Sequence, residues 1–380
     1  MQGKRFISWM LGIAILAGTG WSFWQKRQQK LAELAETVQN EPAEPFVPEQ
    51  SLDPIIEAQN ASLSQEKVEV LELNLSVNQR FPMIKTVEQT LSQASTVGIS
   101  HSRSKLELIL ALTVEEIQAD GRKRFKVRYT GVKYSHDIAG ERVEYDSNRA
   151  NGPAPPEVQA YQRLVNNGFS FWIGADNKID ELVGFDEFMQ RCLQNTSTDQ
   201  RETVLAKISE SSGDDGIANF IDDSIGLLPY NIDENHKGGA IRVGETWMKT
   251  RRLTQPIPMV LKTEYTLREL NDKTATINIA GDIAASKINS PMNQKGNSVQ
   301  LHIRGGKSFG TCLIDRKTGL PLESKIDRFL ETTVKLTNGK EFEQQKHIIT
   351  TIKAFPHQED RPLGPAAKIS PPRNPKPVAN

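Results

Sequence analysis

The segment that decides the fold runs from residue 299 to residue 336 and reads VQLHIRGGKSFGTCLIDRKTGLPLESKIDRFLETTVKL. Apolar and polar residues alternate through most of it, and this period of two is typical of a half-buried antiparallel sheet. Two sites interrupt the alternation: Gly305-Gly306, and residues 315–319, where an Asp and a Gly favour a tight turn. The segment therefore predicts three consecutive antiparallel strands joined by two turns.

A similar plan occurs earlier in the chain, in residues 168–185 (GFSFWIGADNKIDELVGF). An aromatic strand there is followed by a polar turn and a shorter strand. Residues 75–81 (LSVNQRF) also align without gaps to residues 241–247 (IRVGETW). A third match pairs Phe169, Phe171 and Ile173 with Phe309, Thr311 and Leu313. Matches in the same order predict an internal repeat, in which each half is a curved antiparallel sheet.

We predict an α+β fold that is mainly antiparallel β, with two repeated, half-barrel-like curved sheets, a helical insert and one N-terminal transmembrane helix. The insert is indicated by apolar residues at helical spacing, such as Phe185, Phe188, Met189 and Cys192. The predicted divisions are a transmembrane anchor (1–24), a helical stalk with a proline-rich linker (25–65), a first β repeat (66–184), a helical insert (185–230), a second β repeat (231–355) and a disordered proline-rich tail (356–380).

Composition excludes some classes of function. Lys and Arg together number 47, as do Asp and Glu, so no global field attracts nucleic acid, and we predict no nucleic-acid partner. The chain has two cysteines, Cys192 and Cys312, too few for a disulfide-dense scaffold. Cys192 falls on a predicted helix and Cys312 inside a predicted strand, whereas a bridge needs Cα atoms within about 7 Å, so we expect two free, buried thiols.

The N-terminal segment Phe6–Trp24 (FISWMLGIAILAGTGWSFW) is apolar and uncharged. Its length fits a membrane-spanning helix, which needs about 20 apolar residues. A cleaved signal peptide is less favoured because no Ala-x-Ala site follows, and Thr19 stands where a lipoprotein cleavage box needs Cys. We predict an uncleaved single-pass anchor that contacts the membrane, with the bulk of the chain periplasmic or otherwise extracytoplasmic. Basic residues flank the segment on both sides and do not fix this orientation.

No motif in the chain indicates catalysis. Residues 305–308 (GGKS) resemble the end of a phosphate-binding loop, but Leu301 occupies the position of the required first Gly, and the segment connects strands. The six histidines are scattered without metal-ligand spacing. We therefore predict a protein that is not an enzyme and that binds no cofactor and no metal.

Three short segments resemble a known family: residues 75–81, residues 239–247 (GAIRVGETW) and residues 315–322 (DRKTGLPL). They are similar to the bacterial envelope proteins grouped as domain of unknown function 6263, over roughly residues 68–352. That resemblance implies an envelope protein and supplies no catalytic residues. The expected curved sheet with helices also resembles the half-barrel of periplasmic lipoprotein carriers.

The favoured function is a non-catalytic, membrane-anchored envelope protein that acts as a binding or structural module. One alternative is a carrier of an apolar ligand such as a lipid, and another is a hydrolase whose site is assembled from distant residues. A protein partner could replace the apolar ligand, and the sequence does not predict an oligomeric state. The candidate ligand-binding residues, expected on one side of the sheets, are Phe81, Phe169, Phe171, Trp247 and Phe309. If helices from residues 185–228 cover that side completely, it is a core with no ligand cavity.

Overall fold

The computed structural model describes residues 68–95, 98–138, 141–149, 158–175, 177, 179–194, 227–229, 240–253, 259–290, 299–336 and 341–355. The predicted membrane anchor, stalk, linker and tail, and most of the predicted helical insert, lie outside these residues. Within the described ranges, no helix is long and apolar enough to cross a membrane.

Strands dominate the described part of the chain. In order, the elements are β1 (Val68–Val70), β2 (Arg80–Ser95), β3 (Gly98–Ile117), β4 (Lys123–Ile138), β5 (Glu141–Asp146), α1 (Gln159–Gln162), β6 (Gly168–Ile173), β7 (Ile179–Val183), α2 (Phe185–Cys192), β8 (Ala240–Arg242), β9 (Thr246–Leu253), β10 (Met259–Leu270), β11 (Thr274–Ile283), β12 (Ser286–Ser290), β13 (Val299–Asp315), β14 (Pro321–Leu336) and β15 (Glu341–Ala354).

One 13-stranded sheet holds most of these strands, in the order β7-β6-β4-β3-β2-β15-β14-β13-β11-β10-β9, with β5 beside β4 and β12 beside β13. Every pairing is antiparallel, and β7 and β9 are not paired with each other, so the sheet is not closed. The prediction of a mainly antiparallel β fold is confirmed. The prediction of two separate sheets is wrong, because β15 pairs with both β14 and β2 and joins the two halves.

The opening segment forms two strands where the sequence predicted three. Gly305 and Gly306 lie inside β13, opposite Glu331 and Leu330 of β14. A register shift between Ile303 and Gly305 adds one residue to β13, which is a β-bulge and does not reverse the chain. The second predicted turn, at residues 315–319, does connect β13 to β14.

The aligned segments 75–81 and 241–247 form equivalent turns at the start of each half. Asn78 and Gly244 both have positive φ, 67° and 92°. The backbone amide of Asn78 donates to the carbonyl of Val114 (2.8 Å), and the backbone amide of Gly244 donates to the carbonyl of Leu267 (2.7 Å). In both turns a backbone amide donates to the side chain of the residue three positions later. The Ser76 amide donates to Gln79 Oε1 (3.1 Å), and the Arg242 amide donates to Glu245 Oε2 (2.9 Å). β2–β3 therefore begins with the same geometry as β9–β10.

Residues 68–77 form a strap that crosses the end of the sheet. Its first residues, β1, pair with β8 in a separate two-stranded sheet. Beyond β1, the amide of Asn74 donates to the carbonyl of Thr318 (3.1 Å) in the β13–β14 turn. Arg316 in that turn binds the Glu69 carboxylate with two nitrogens, at 2.7 and 3.0 Å. The strap is therefore fixed both to β8 and to the β13–β14 turn.

The main hydrophobic core lies on the sheet face that the strap and α2 cover, which we call the inner face. Strap residues Leu71, Leu73 and Leu75 are buried in it, while the residues between them are exposed. From α2, Phe188 packs against Phe169 and Tyr129, with ring centroids 5.1 and 6.1 Å apart. Cys192 and Cys312 are buried and form no disulfide, as predicted, and burial raises the pKa of the Cys192 thiol to about 12.

Candidate functional site

Four of the five sequence-predicted ligand residues lie in the main core. Phe81, Phe169, Phe171 and Trp247 are all at most 6% exposed. Their described contacts are with other protein groups: Phe171 stacks on Phe125 at 5.4 Å, and Phe169 meets Phe185 at 5.0 Å. The Trp247 indole stacks on Tyr265 and donates a hydrogen bond to the Leu227 carbonyl, 2.8 Å away. Protein side chains thus occupy the inner face around these residues.

The fifth residue, Phe309, points the other way. It is 50% exposed, and its ring stacks on Phe329 of β14 at 5.5 Å on the outer face. In β13 the inward positions are Gly310, Cys312 and Ile314, which lie opposite Ile279, Ile277 and Ala275. The prediction that Phe309, Thr311 and Leu313 share a side with Phe169, Phe171 and Ile173 is therefore wrong by one residue. A slip of one residue moves every side chain of a strand to the opposite face.

A second apolar cluster occupies the half of the inner face farther from the strap. Its members are buried and form a cluster separate from the main core: Val87, Leu261, Ile283, Leu330 and Ile348. They come from five strands, β2, β10, β11, β14 and β15. Side chains far apart in sequence are therefore brought together by strand pairing alone.

A row of mostly polar side chains crosses the inner face through Ile348 of this cluster, and we call it the polar belt. Strand register places Ser104, Gln89, Ile348, Arg328 and Ser308 opposite one another in turn from β3 to β13. The row continues through Gly281 and Thr263 to Lys249 of β9, and His136 extends it at the β4 end. The belt residues that are at most 7% exposed are Gln89, His136, Lys249, Thr263 and Ser308.

A shorter polar row lies four residues farther along the strands than the polar belt. Gln344 donates from Nε2 to Oε1 of Gln93 at 3.2 Å, and both side chains are at most 4% exposed. Thr332, also buried, donates from its hydroxyl to the carbonyl of Gln344 at 3.4 Å. Of the second apolar cluster, Leu261, Ile283 and Leu330 lie on the side of the belt that faces this shorter row, Ile348 lies in the belt, and Val87 lies on the other side.

The charges on the inner face are all positive where the structure describes them. Lys85, Lys249, Arg328 and Lys346 point inward. No Asp or Glu is found among the described inward side chains of β2, β3, β9–β11 and β13–β15. The carboxylates of these strands are on the outer face, in ion pairs such as Glu88–Lys105 (2.8 Å), Asp282–Lys307 (2.6 Å) and Glu323–Lys353 (3.4 Å).

Lys346 stands at the edge of the second apolar cluster. Strand register places it between Leu91 of β2 and Leu330 of β14. Although part of the residue is exposed, burial of its ammonium group lowers its pKa to about 8. Arg328 lies opposite Ile348, two residues from Lys346, so the two cations are diagonal neighbours with Cβ atoms about 7 Å apart. The Arg328 guanidinium also approaches the Thr350 hydroxyl, at 3.4 Å.

Sequence reasoning missed the polar belt and the second apolar cluster. One local signal was present: the inward positions of β2 read Phe81, Met83, Lys85, Val87 and Gln89, so the apolar pattern is interrupted by polar residues. Which residues on other strands join them depends on the order of the strands in the sheet. As for metal sites, the described residues contain no group of three His, Cys, Asp or Glu that could hold an ion.

Comparison with known proteins places the chain in a family. The model of the family of unknown function DUF6263 matches residues 120–321, which is just over half of the chain. The chain belongs to this family. The resemblance seen in the sequence is thereby confirmed, and the family description assigns no activity to its members. None of the curated proteins matches this DUF6263 member significantly.

Solved structures resemble the DUF6263 chain only distantly. A structure of lipid-protein interactions in lipovitellin matches with a TM-score of 0.40 and 10% identity, over 73% of this chain and 25% of that one. OmpF of Salmonella typhi, in complex with daunomycin, matches with a TM-score of 0.18 and 6% identity, over 73% of this chain and 98% of that one. The NalP autotransporter translocator domain of Neisseria meningitidis matches with a TM-score of 0.16 and 5% identity, over 74% of this chain and 91% of that one. The chain spans about a quarter of the lipovitellin chain that it matches.

Proposed function

We propose that this DUF6263 protein is a non-catalytic binding module that takes an apolar ligand on the inner face of its sheet, against the second apolar cluster. The observation that carries the proposal is the separation of this cluster from the main core. The core residues pack against one another, against the strap and against α2, whereas the second cluster is a small, separate group of five buried residues at the polar belt.

The physical driving force for such a ligand is burial of its hydrocarbon. Each CH₂ group moved from water to an apolar surface contributes about 0.8 kcal/mol. Part of that gain is lost to the entropy of association, so a chain of about ten carbons is needed for useful affinity. The five residues of the cluster lie on five strands, so an extended aliphatic chain could contact several of them at once. A hydrolase, the alternative function, has no observation in its favour among the described residues.

The proposed module is tethered to a membrane by Phe6–Trp24, with the sheet on the extracytoplasmic side. This part of the proposal rests on the length and apolar character of that segment. We expect the full chain to stay with the membrane fraction after a carbonate wash and to be digested by protease added outside the cell or spheroplast. Release by carbonate would contradict the tether, and protection from protease would contradict the orientation.

We expect lipid to co-purify with the full chain and to depend on the second apolar cluster. Native mass spectrometry of protein extracted in a non-ionic detergent from a membrane-containing host should show a bound species. Ile348→Thr, which keeps the β-branched shape but adds a hydroxyl, should reduce the bound fraction severalfold. Leu330→Asn should abolish it, because a polar group then lies within the apolar surface.

The matched control is Phe329→Asn, one residue away on β14, whose 41% exposed ring lies on the outer face. It should leave the bound lipid unchanged. Circular dichroism identifies any variant that fails to fold. If Leu330→Asn does not fold, the bound lipid of Ile348→Thr alone tests the proposal. Bare protein from the native sequence, or equal lipid in Ile348→Thr and Phe329→Asn, would overturn the proposed function.

A further inference from the structure

Two neighbouring rows of side chains on the outer face carry an exposed apolar surface, which we call the outer patch. The first row crosses the sheet from β9 to β15 and consists of Met248, Glu264, Ala280, Phe309, Asp327 and Ile349. The second row lies two residues away along the strands and consists of Thr250, Lys262, Asp282, Lys307, Phe329 and His347. Of the six exposed large apolar side chains among the described residues, three fall in these rows: Met248 (57%), Phe309 (50%) and Phe329 (41%).

The aromatic side chains of the outer patch form one continuous stack. The ring of Phe329 lies between those of Phe309 and His347, with centroids 5.5 and 4.0 Å away. His347 is in turn hydrogen-bonded to the Asp327 carboxylate at 2.8 Å. Because these contacts already fix the rings, little side-chain entropy is lost when a partner covers them. Exposed aromatic and methionine side chains in one ordered patch are typical of a protein interface.

We propose that the outer patch binds a second copy of this chain, across a two-fold axis that runs between the two rows. Each row of one copy then faces the other row of the second copy, strand by strand, as a two-fold interface requires. The two aromatic stacks meet at its centre. This inference goes beyond the proposed function, which concerns the inner face of the sheet.

The charges at the edge of the outer patch are self-complementary in this arrangement. Nearer the centre, charges are neutralised within the chain, as in the Asp282–Lys307 pair (2.6 Å). Lys262 and Glu264 are both exposed on β10, and neither forms an ion pair with another residue that the structure describes. The two-fold axis places Glu264 of each copy opposite Lys262 of the other. Two equivalent intermolecular ion pairs result.

The same charges disfavour the other simple symmetry. A two-fold axis parallel to the strands, between β13 and β14, would reverse the strand order of the second copy. In the order β10-β11-β13-β14-β15-β2, that axis places β10 opposite β2. Glu264 would then face Glu88 of the second copy, and like charges in contact repel. The charges of the outer patch therefore match the patch itself in one arrangement, which is the reason for choosing a second copy as the partner.

The size of the outer patch sets the expected affinity. Six strands about 4.8 Å apart give a width of about 24 Å, and the two rows are about 7 Å apart. The area that each copy contributes is therefore well below the roughly 800 Å² per partner of a stable interface. We expect a weak dimer that forms mainly in the membrane, because the tether proposed above confines the copies to one plane and raises their effective concentration.

The test measures association of the full chain in a membrane. Copies labelled at the amino terminus with a donor or an acceptor fluorophore are reconstituted together in phosphatidylcholine vesicles, and energy transfer is recorded as the ratio of protein to lipid is raised. Phe309→Asn and Phe329→Asn should each weaken association at least tenfold, because each places a polar group at the centre of the interface. The variant with both substitutions gives the energy transfer that the anchors alone produce. The control is Val243→Asn, a 52% exposed residue in the β8–β9 turn outside the patch, which should leave association unchanged.

Charge reversal tests whether the partner is a second copy. Lys262→Glu and Glu264→Lys each place like charges opposite one another at two equivalent positions, and each should weaken association severalfold. The double variant Lys262→Glu/Glu264→Lys restores both pairs with their signs exchanged, so it should associate with itself as tightly as the native sequence does. Mixed with the native sequence, the double variant should associate weakly, because both contacts between the two chains are then repulsive.

The outcomes are distinct. Equal energy transfer for the native sequence and the double phenylalanine variant would overturn the proposal, and so would a double charge reversal that fails to restore association. If native copies do not associate in vesicles, while cross-linking in native membranes joins the patch to a different protein, the partner is not a second copy and the inference is wrong. Should circular dichroism show that a phenylalanine variant does not fold, the charge variants at exposed positions still test the dimer. Loss of association in Phe329→Asn with bound lipid unchanged would support the dimer independently of the proposed function.

Discussion

Replacing Gly319 by alanine is expected to lower the free energy of unfolding by about 3 kcal/mol or more. Gly319 has a φ of +74°, a conformation that costs any residue with a Cβ roughly 1–2 kcal/mol. A Cβ at this position would also overlap the carbonyl oxygen of Glu72 in the strap. The strap would have to move away from the β13–β14 turn, which would weaken the Asn74–Thr318 hydrogen bond and the Arg316–Glu69 ion pair.

Gly244→Ala is the matched control for this substitution. Gly244 has a similar positive φ of +92°, but a Cβ there would meet nothing within 4 Å. Its cost should therefore be limited to backbone strain, roughly 1–2 kcal/mol. Urea unfolding of both variants gives the difference, and hydrogen exchange of residues 71–75 shows whether the strap is released. Equal costs for the two variants would contradict the close approach of the strap to Gly319.

The features of the fold that could be predicted from sequence are those that depend on local chemistry. Alternation with period two predicted antiparallel strands, because each strand buries one face whatever its neighbours are. The match between residues 75–81 and 241–247 predicted equivalent turns, because Asn78 and Gly244 are the residue types that tolerate positive φ. The turn at residues 315–319 was predicted for the same reason, and Gly319 has positive φ there.

The wrong predictions concern relations between strands. Gly305-Gly306 has the composition of a turn, yet pairing with β14 keeps it within β13 as part of a bulge. The inward face of β13 is set by its pairing with β11, and this places Phe309 outward where alignment with β6 predicted it inward. The single sheet depends on β15 pairing with β2, across more than 200 residues of sequence. Such pairings are chosen by the packing of the whole sheet and leave no local signature.

In the candidate site, too, local features could be predicted and features that depend on strand pairing could not. The sequence predicted aromatic residues as the ligand surface because they are the largest apolar side chains, and the structure places Phe169 and Phe171 in well-packed core positions. The polar belt is assembled from single residues on different strands, such as Gln89, Arg328 and Ser308. Each of them, in isolation, is an ordinary polar residue of an amphipathic strand. Only the strand order shows that they lie in one row on the buried face.

Lys346→Met is expected to stabilise the protein at pH 7. Burial lowers the pKa of Lys346 from its ordinary value of 10.5 to about 8, so the folded state holds this proton less tightly than the unfolded state does. Between those two values the unfolded state binds more protons, and the free energy of unfolding of the native sequence rises with pH. Below about pH 8 the cost of burying the charge is present in full.

A methionine at position 346 keeps an unbranched apolar side chain and removes that cost. Because the residue is partly exposed, we expect a gain of about 1–2 kcal/mol at pH 7, which is less than a pKa change of this size would give in full. The rise in stability between pH 8 and pH 10.5 should also become smaller in the variant. Urea unfolding at pH 7 and at pH 10 measures both effects, and Lys353→Met on the outer face of β15 should show neither. Loss of stability in Lys346→Met at pH 7 would mean that this cation stabilises the fold.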